Sequence, residues 1–197
     1  MRRKTFDALL TVGGLAIAIV LLTAGGLLSW AHSYVKDQVH NQLAQQQIFF
    51  PPKGSEALAP KEIGPYLNKY AGQQLLTGAQ ANAYADHFIA VHLNEIAGGK
   101  TYSQLSTAAQ ANPNDTKLAG QVATVFKGTT LRGLLLNAYA FATMGTIAGI
   151  AAVVSFIGAG ILLLLSALGF WHLRRTPATA EVLPKLTTPN APEPVGV

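Results

Sequence analysis

Two imidazoles and two carboxylates fall within the ten residues DHFIAVHLNE, from Asp86 to Glu95. Histidine and carboxylate side chains are the donors that hold a transition metal at an oxygenase or hydrolase centre. His92 and Glu95 are three apart and share one face of a helix. His87 and His92 are five apart, so at 100° per residue they diverge by about 140°. A metal site here would need ligands from elsewhere, and His32 and His40 lie about fifty residues upstream. The ordinary alternative is that His87 and His92 make local hydrogen bonds or sit at a helix–helix seam. The sequence therefore predicts no catalytic residue, no cofactor and no metal, with His87, His92 and Glu95 as the candidates for a metal-dependent enzyme.

Other chemistry is sparser. The chain has no cysteine, which excludes disulfides, thiolate metal sites and a cysteine nucleophile. The pairs Gly13-Gly14, Gly25-Gly26 and Gly98-Gly99 follow no strand and fit no phosphate-binding pattern, and no Gly-x-Ser-x-Gly occurs. Asn114-Asp115-Thr116 matches a glycosylation acceptor, a triplet common by chance.

The elements that would position these residues are dominated by two apolar stretches. Half of the 197 residues are hydrophobic and only 12% are charged, a membrane-like balance. The stretch from Leu131 to Trp171 has Arg132 near its start and no further charge until Arg174. A run this long and uncharged reads as a membrane-spanning helix, because lipid leaves backbone polar groups only each other as partners. A second run, ALLTVGGLAIAIVLLTAGGLLSW, occupies 8–30. Its length and the aromatic pair Trp30 and Tyr34 argue for an uncleaved anchor over a signal peptide. Neither span holds an Asp, Glu, Lys or Arg at depth, which disfavours a pump or transporter. A homo-oligomeric channel would need polarity along a span, and neither shows it.

Beyond Trp30 the stripe Val35–Val39–Leu43 continues the first helix toward Pro51-Pro52, which must end it. Gly128-Thr129-Thr130 reads as a stop and a new N-cap, opening a helix at Leu131. Each long helix then projects about 17 residues past the membrane, roughly 25 Å at 1.5 Å per residue. Small residues favour close pairing: Gly14 and Ala18 in the first span, Gly145, Gly149, Ala152, Ser155 and Ala159 in the second. Between them four short helices are expected: 60–70, one opened by the capping box Thr77…Gln80 and closed at Gly98-Gly99, one opened by Thr101…Gln104, and 115–126. Tyr84, Phe88, Val91 and Ile96 could form an apolar face.

The expected fold is thus an all-α membrane protein: two long antiparallel transmembrane helices extended into a stalk, with a small helical extracytoplasmic cap. Its organisation is a head at 1–7, spans at 8–30 and 147–171, stalk and cap at 31–146, and a disordered tail at 172–197 carrying five prolines. The formal net charge of +5 gathers at Arg2, Arg3, Lys4 and at Arg174, Arg175. By the positive-inside rule both termini are cytoplasmic in the cell membrane, and these cations contact membrane lipid. The near-balanced middle shows no basic stripe for nucleic acid. Three consecutive leucines point around much of a helix, so Leu134, Leu135, Tyr139 and Phe141 are expected to form an interaction seam with the cap and with a protein partner or a second copy.

The stretches MRRKTFDALLT, YAGQQ, AYADHFIAVHL, AGGKTYSQLS and LRGLLLNAYAF resemble a family of small, functionally uncharacterised two-span actinobacterial membrane proteins. The resemblance covers nearly everything except the tail. Some members are labelled aromatic ring-opening dioxygenase, which would imply iron held by two histidines and a carboxylate. The expected function is a non-enzymatic structural or interaction role, as an accessory subunit of an envelope membrane complex. The alternative is a metal-dependent, dioxygenase-like enzyme.

Overall fold

The computed structural model describes residues 3–177, and all regular structure among them is helical. The proline-rich tail from 178 onward lies outside the described residues, as do Met1 and Arg2. Six α-helices follow in order: α1 (Arg3–Gln45), α2 (Gly64–Leu67), α3 (Gly78–Tyr84), α4 (Ala90–Ala97), α5 (Tyr102–Ala111) and α6 (Thr116–Arg175). Single 3-10 turns occupy Glu56–Leu58 and Asn68–Tyr70, and a π-helical turn, Ala85–Ile89, joins α3 to α4. Two helices, α1 and α6, are long and apolar enough to cross a membrane. The chain divides into two compact units, Met1–Leu27 with Ala152–Val197, and Leu28–Ala151.

In the first unit, buried positions recur every seven residues. Thr11, Ala18 and Gly25 on α1 and Ala152, Ala159 and Ser166 on α6 are closed off, while larger aliphatic residues such as Leu10, Val20, Ile157 and Leu164 are exposed. A seven-residue repeat keeps one face of a helix toward its partner where a straight helix would drift about 20° per heptad. The seam is made by size, not by hydropathy, because every face of these segments is apolar. Gly169 lies against Thr11, Gly14 against Ser166, Leu21 against Gly158, and Gly25 against the ring of Phe156. Ser166 Oγ donates to the Thr11 carbonyl at 3.3 Å, and Thr11 Oγ1 donates to the Asp7 carbonyl at 2.7 Å.

In the second unit the core joins both long helices to the short ones. Leu43 of α1 and Leu135 of α6 are buried with Phe50, Leu58, Ile63, Leu67, Leu75, Ala81, Ala85 and Ile89. Much of this core comes from 46–77, a stretch of short turns. Phe50 N–H donates to Gln73 O, Leu75 N–H to Ile48 O and Gly72 N–H to Pro51 O, so two extended pieces meet around a single bridge between Phe49 and Gln74. Both capping boxes form, with Thr77 and Gln80 opening α3, and Thr101 and Gln104 opening α5. Gly98 takes the left-handed conformation, φ 56°, that closes α4.

Three expectations need correction. Gly128 does not stop a helix: α6 runs unbroken from Thr116, capped by Asp115 Oδ1 accepting from Leu118 N–H at 2.9 Å. Gly128 is instead where the Leu93 side chain packs against the helix, and a Cβ there would collide with it. The expected helix 60–70 is only the four residues of α2 followed by a 3-10 turn. Ile96 is exposed; Ala97 takes the inward position and meets Leu105 and Val125 in a small second core, while Tyr84, Phe88 and Val91 do pack on the main one.

Candidate functional site

The cluster from Asp86 to Glu95 falls on the π turn and α4. The π turn inserts a residue into the helical phase, so that Ala81, Ala85 and Ile89 all reach the core. Each polar side chain then takes its own partner. Asp86 Oδ1 accepts from Arg132 Nη2 of α6 at 2.6 Å, a half-exposed ion pair that links the two helices. His87 stacks face to face on Tyr66, centroids 3.4 Å apart and planes 2° from parallel. His92 Nδ1–H donates to the Phe88 carbonyl at 2.7 Å, which assigns the proton to Nδ1 and leaves Nε2 free. Glu95 is exposed at the solvent end of α4. Among the described residues no three His, Asp or Glu side chains converge as a ligand set. Beside this cluster, burial pushes the Tyr84 hydroxyl up from its ordinary value.

Two open clefts in the second unit flank the contact between α1 and α6. One, of about 420 Å³, has the amides Gln38, Gln42 and Gln46 on one wall and Leu134, Ala138 and Phe141 on the other. No formally charged residue lines it. Leu134 and Phe141 are 56% and 58% exposed. The four candidate seam residues therefore separate. Leu134 and Phe141 line this groove. Leu135 is fully buried in the core, and Tyr139 is exposed on another face beside Gly78.

The second cleft, of about 600 Å³, carries charged and imidazole side chains on one wall. His32, Lys36, Asp37 and His40 come from α1, Leu76–Ala79 from the start of α3, and Ala142, Gly145 and Thr146 from α6. Sequence reasoning placed His32 and His40 only as distant ligands and did not single out Lys36 or Asp37. The spacing of His32, Lys36 and His40 at i, i+4 and i+8 was the available signal.

Fold and site together define a chain whose regular structure among the described residues is helical, with two helices able to cross a membrane and a helical unit bearing several open clefts. No family model, curated protein or solved structure matches it.

Proposed function

We propose that this chain is a two-span integral protein of the cell membrane, with a non-enzymatic interaction role as an accessory subunit of an envelope complex. Both termini are cytoplasmic, and the two long helices form an antiparallel hairpin. The seven-residue spacing of small buried residues and the exposed aliphatic faces support that arrangement. The observation that carries the interaction role is the uncharged groove between Gln38–Gln42–Gln46 and Leu134–Phe141. Its apolar wall and amide wall suit an apolar helix with a few polar side chains, since amides both donate and accept.

The test substitutes Leu134→Gln and Phe141→Asp singly in tagged protein purified in mild detergent. The expected outcome is loss of a co-purifying protein, with the helical signal and melting temperature unchanged. Loss of a dimer in place of another protein would identify a second copy as the occupant. An unchanged set of associated proteins for both variants would refute the groove as the contact.

The π turn favours a second reading, because such insertions are frequent at functional sites. A metal-dependent enzyme would use His87, His92 and Glu95, with His92 Nε2 free to ligate. Elemental analysis of the purified protein decides it. Background iron and zinc, unchanged in a His87→Gln, His92→Gln double variant, is the expected result. Stoichiometric metal lost in that variant would replace the non-enzymatic reading.

A further inference from the structure

The cleft beside His32 joins charged side chains to an apolar lining. Lys36 and Asp37 both line it, and among the described residues neither has an ion-pair partner. His32 is fixed: its Nδ1–H donates to the Gly145 carbonyl at 2.7 Å, and its ring rests on Gly149, where a Cβ would come within 2.8 Å of Nδ1. Because a carbonyl can only accept, the proton is on Nδ1 and Nε2 is left free. At the floor Gly78 packs on Ala142 so closely that a methyl group would not fit.

Polarity changes along the cleft. Lys36, Asp37 and His40 lie toward one end. Toward the other, Thr146 hydrogen-bonds back to the Ala142 carbonyl, which withdraws its hydroxyl. One turn beyond Thr146 on the same helix face is Ile150, 62% exposed, and Ile147 and Met144 are exposed beside it. On α1 the stacked pair Trp30 and Tyr34 brackets His32 in sequence. Such aromatic pairs sit at headgroup level. The cleft thus has a cation and an anion above an apolar surface, with a volume in the range of small-ligand sites.

We propose that this cleft binds the headgroup of a zwitterionic phospholipid with a primary ammonium, the phosphoethanolamine class. The phosphate faces Lys36, between the apolar end and Asp37. The ammonium, which follows the phosphate away from the acyl chains, donates to the Asp37 carboxylate. The acyl chains run along Ile147 and Ile150. An anionic headgroup without an ammonium would meet Asp37 as a repulsive neighbour. A choline headgroup carries the charge but has no N–H to donate. This assignment rests on the reading of α1 and α6 as membrane spans.

The experiment uses native mass spectrometry of the full chain in detergent, with phosphatidylethanolamine, phosphatidylcholine and phosphatidylglycerol of identical acyl chains. Phosphatidylethanolamine should be retained about tenfold more tightly than phosphatidylcholine, the worth of one hydrogen bond to a carboxylate. Asp37→Asn should reduce that preference several-fold, and Lys36→Gln should weaken retention of both lipids. Free phosphoethanolamine should not compete at lipid-equivalent concentration; equal competition would overturn the lipid assignment in favour of a soluble ligand. Absence of any headgroup preference, or a preference unchanged in Asp37→Asn, would overturn the site itself. Extraction of native membranes with alkaline carbonate runs alongside. Release of the chain would defeat the spanning reading, whereas retention without headgroup preference would defeat only the lipid site.

Discussion

Gly78 and Gly133 show how differently one residue type can act in one unit. Gly78 opens α3 against α6, and its missing side chain lets Ala142 and the Tyr139 backbone close on it. The atoms it would strike belong to a Cβ and a main chain, so relief needs a backbone shift. Gly133 sits inside α6 with nothing within 4 Å of a would-be Cβ. There the glycine only raises the entropy of the unfolded chain. We therefore expect Gly78→Ala to destabilise the second unit by about 1–3 kcal/mol and Gly133→Ala to stabilise it by about 0.5–1 kcal/mol. Thermal melts of both variants in one detergent would check the pair. Equal shifts would mean that close approach at Gly78 contributes nothing.

At the scale of elements, local signals were legible and packing signals were not. Capping boxes and the Gly98 stop depend on three or four adjacent residues, so Thr77, Thr101 and the end of α4 could be read directly. Gly128 could not, since its meaning depends on Leu93, thirty-five residues away. The core between Phe50 and Leu75 has no period because it is built from turns, and the π turn adds a residue that only the burial of Ala81, Ala85 and Ile89 explains. The two clefts depend on the register of α1 against α6, so Lys36 and Asp37 gave no sign of sharing a site with Gly145. In the first unit the hydropathy pattern is flat and the seam is written in residue size. Ala159 is fully enclosed there, while Gly160 next to it meets nothing within 4 Å. Ala159→Leu should cost about 1–3 kcal/mol by overpacking, and Gly160→Leu should be close to neutral. Melting in detergent, followed by the helical signal, measures both. A neutral Ala159→Leu would show that the seam is not closely packed.

For the whole molecule the open question is orientation, and the charge distribution argues it. Arg2, Arg3 and Lys4 precede the first apolar run, and Arg174 and Arg175 follow the second, while the residues between them carry nearly balanced charge. Within the first unit these ends approach: His172 Nε2 lies 3.8 Å from Asp7 Oδ2. The proposed topology follows from the positive-inside rule: cations flanking both apolar helices at their terminal ends favour cytoplasmic termini and an exported middle. Single cysteines report this, because the chain has none of its own. Ser55 is a poor position, since its hydroxyl is buried without a partner. Lys53→Cys and Ser103→Cys are exposed replacements. In intact cells both should react with a membrane-impermeant maleimide, and Thr188→Cys should react only after permeabilisation. Removing the charges at Arg2, Arg3 and Lys4 together should admit a fraction of inverted molecules, visible as partial Thr188→Cys labelling in intact cells. The opposite pattern in the parent chain, with Thr188→Cys labelled and the other two protected, would invert the topology. It would place the headgroup cleft and the uncharged groove on the cytoplasmic side, where an exported partner could not reach them.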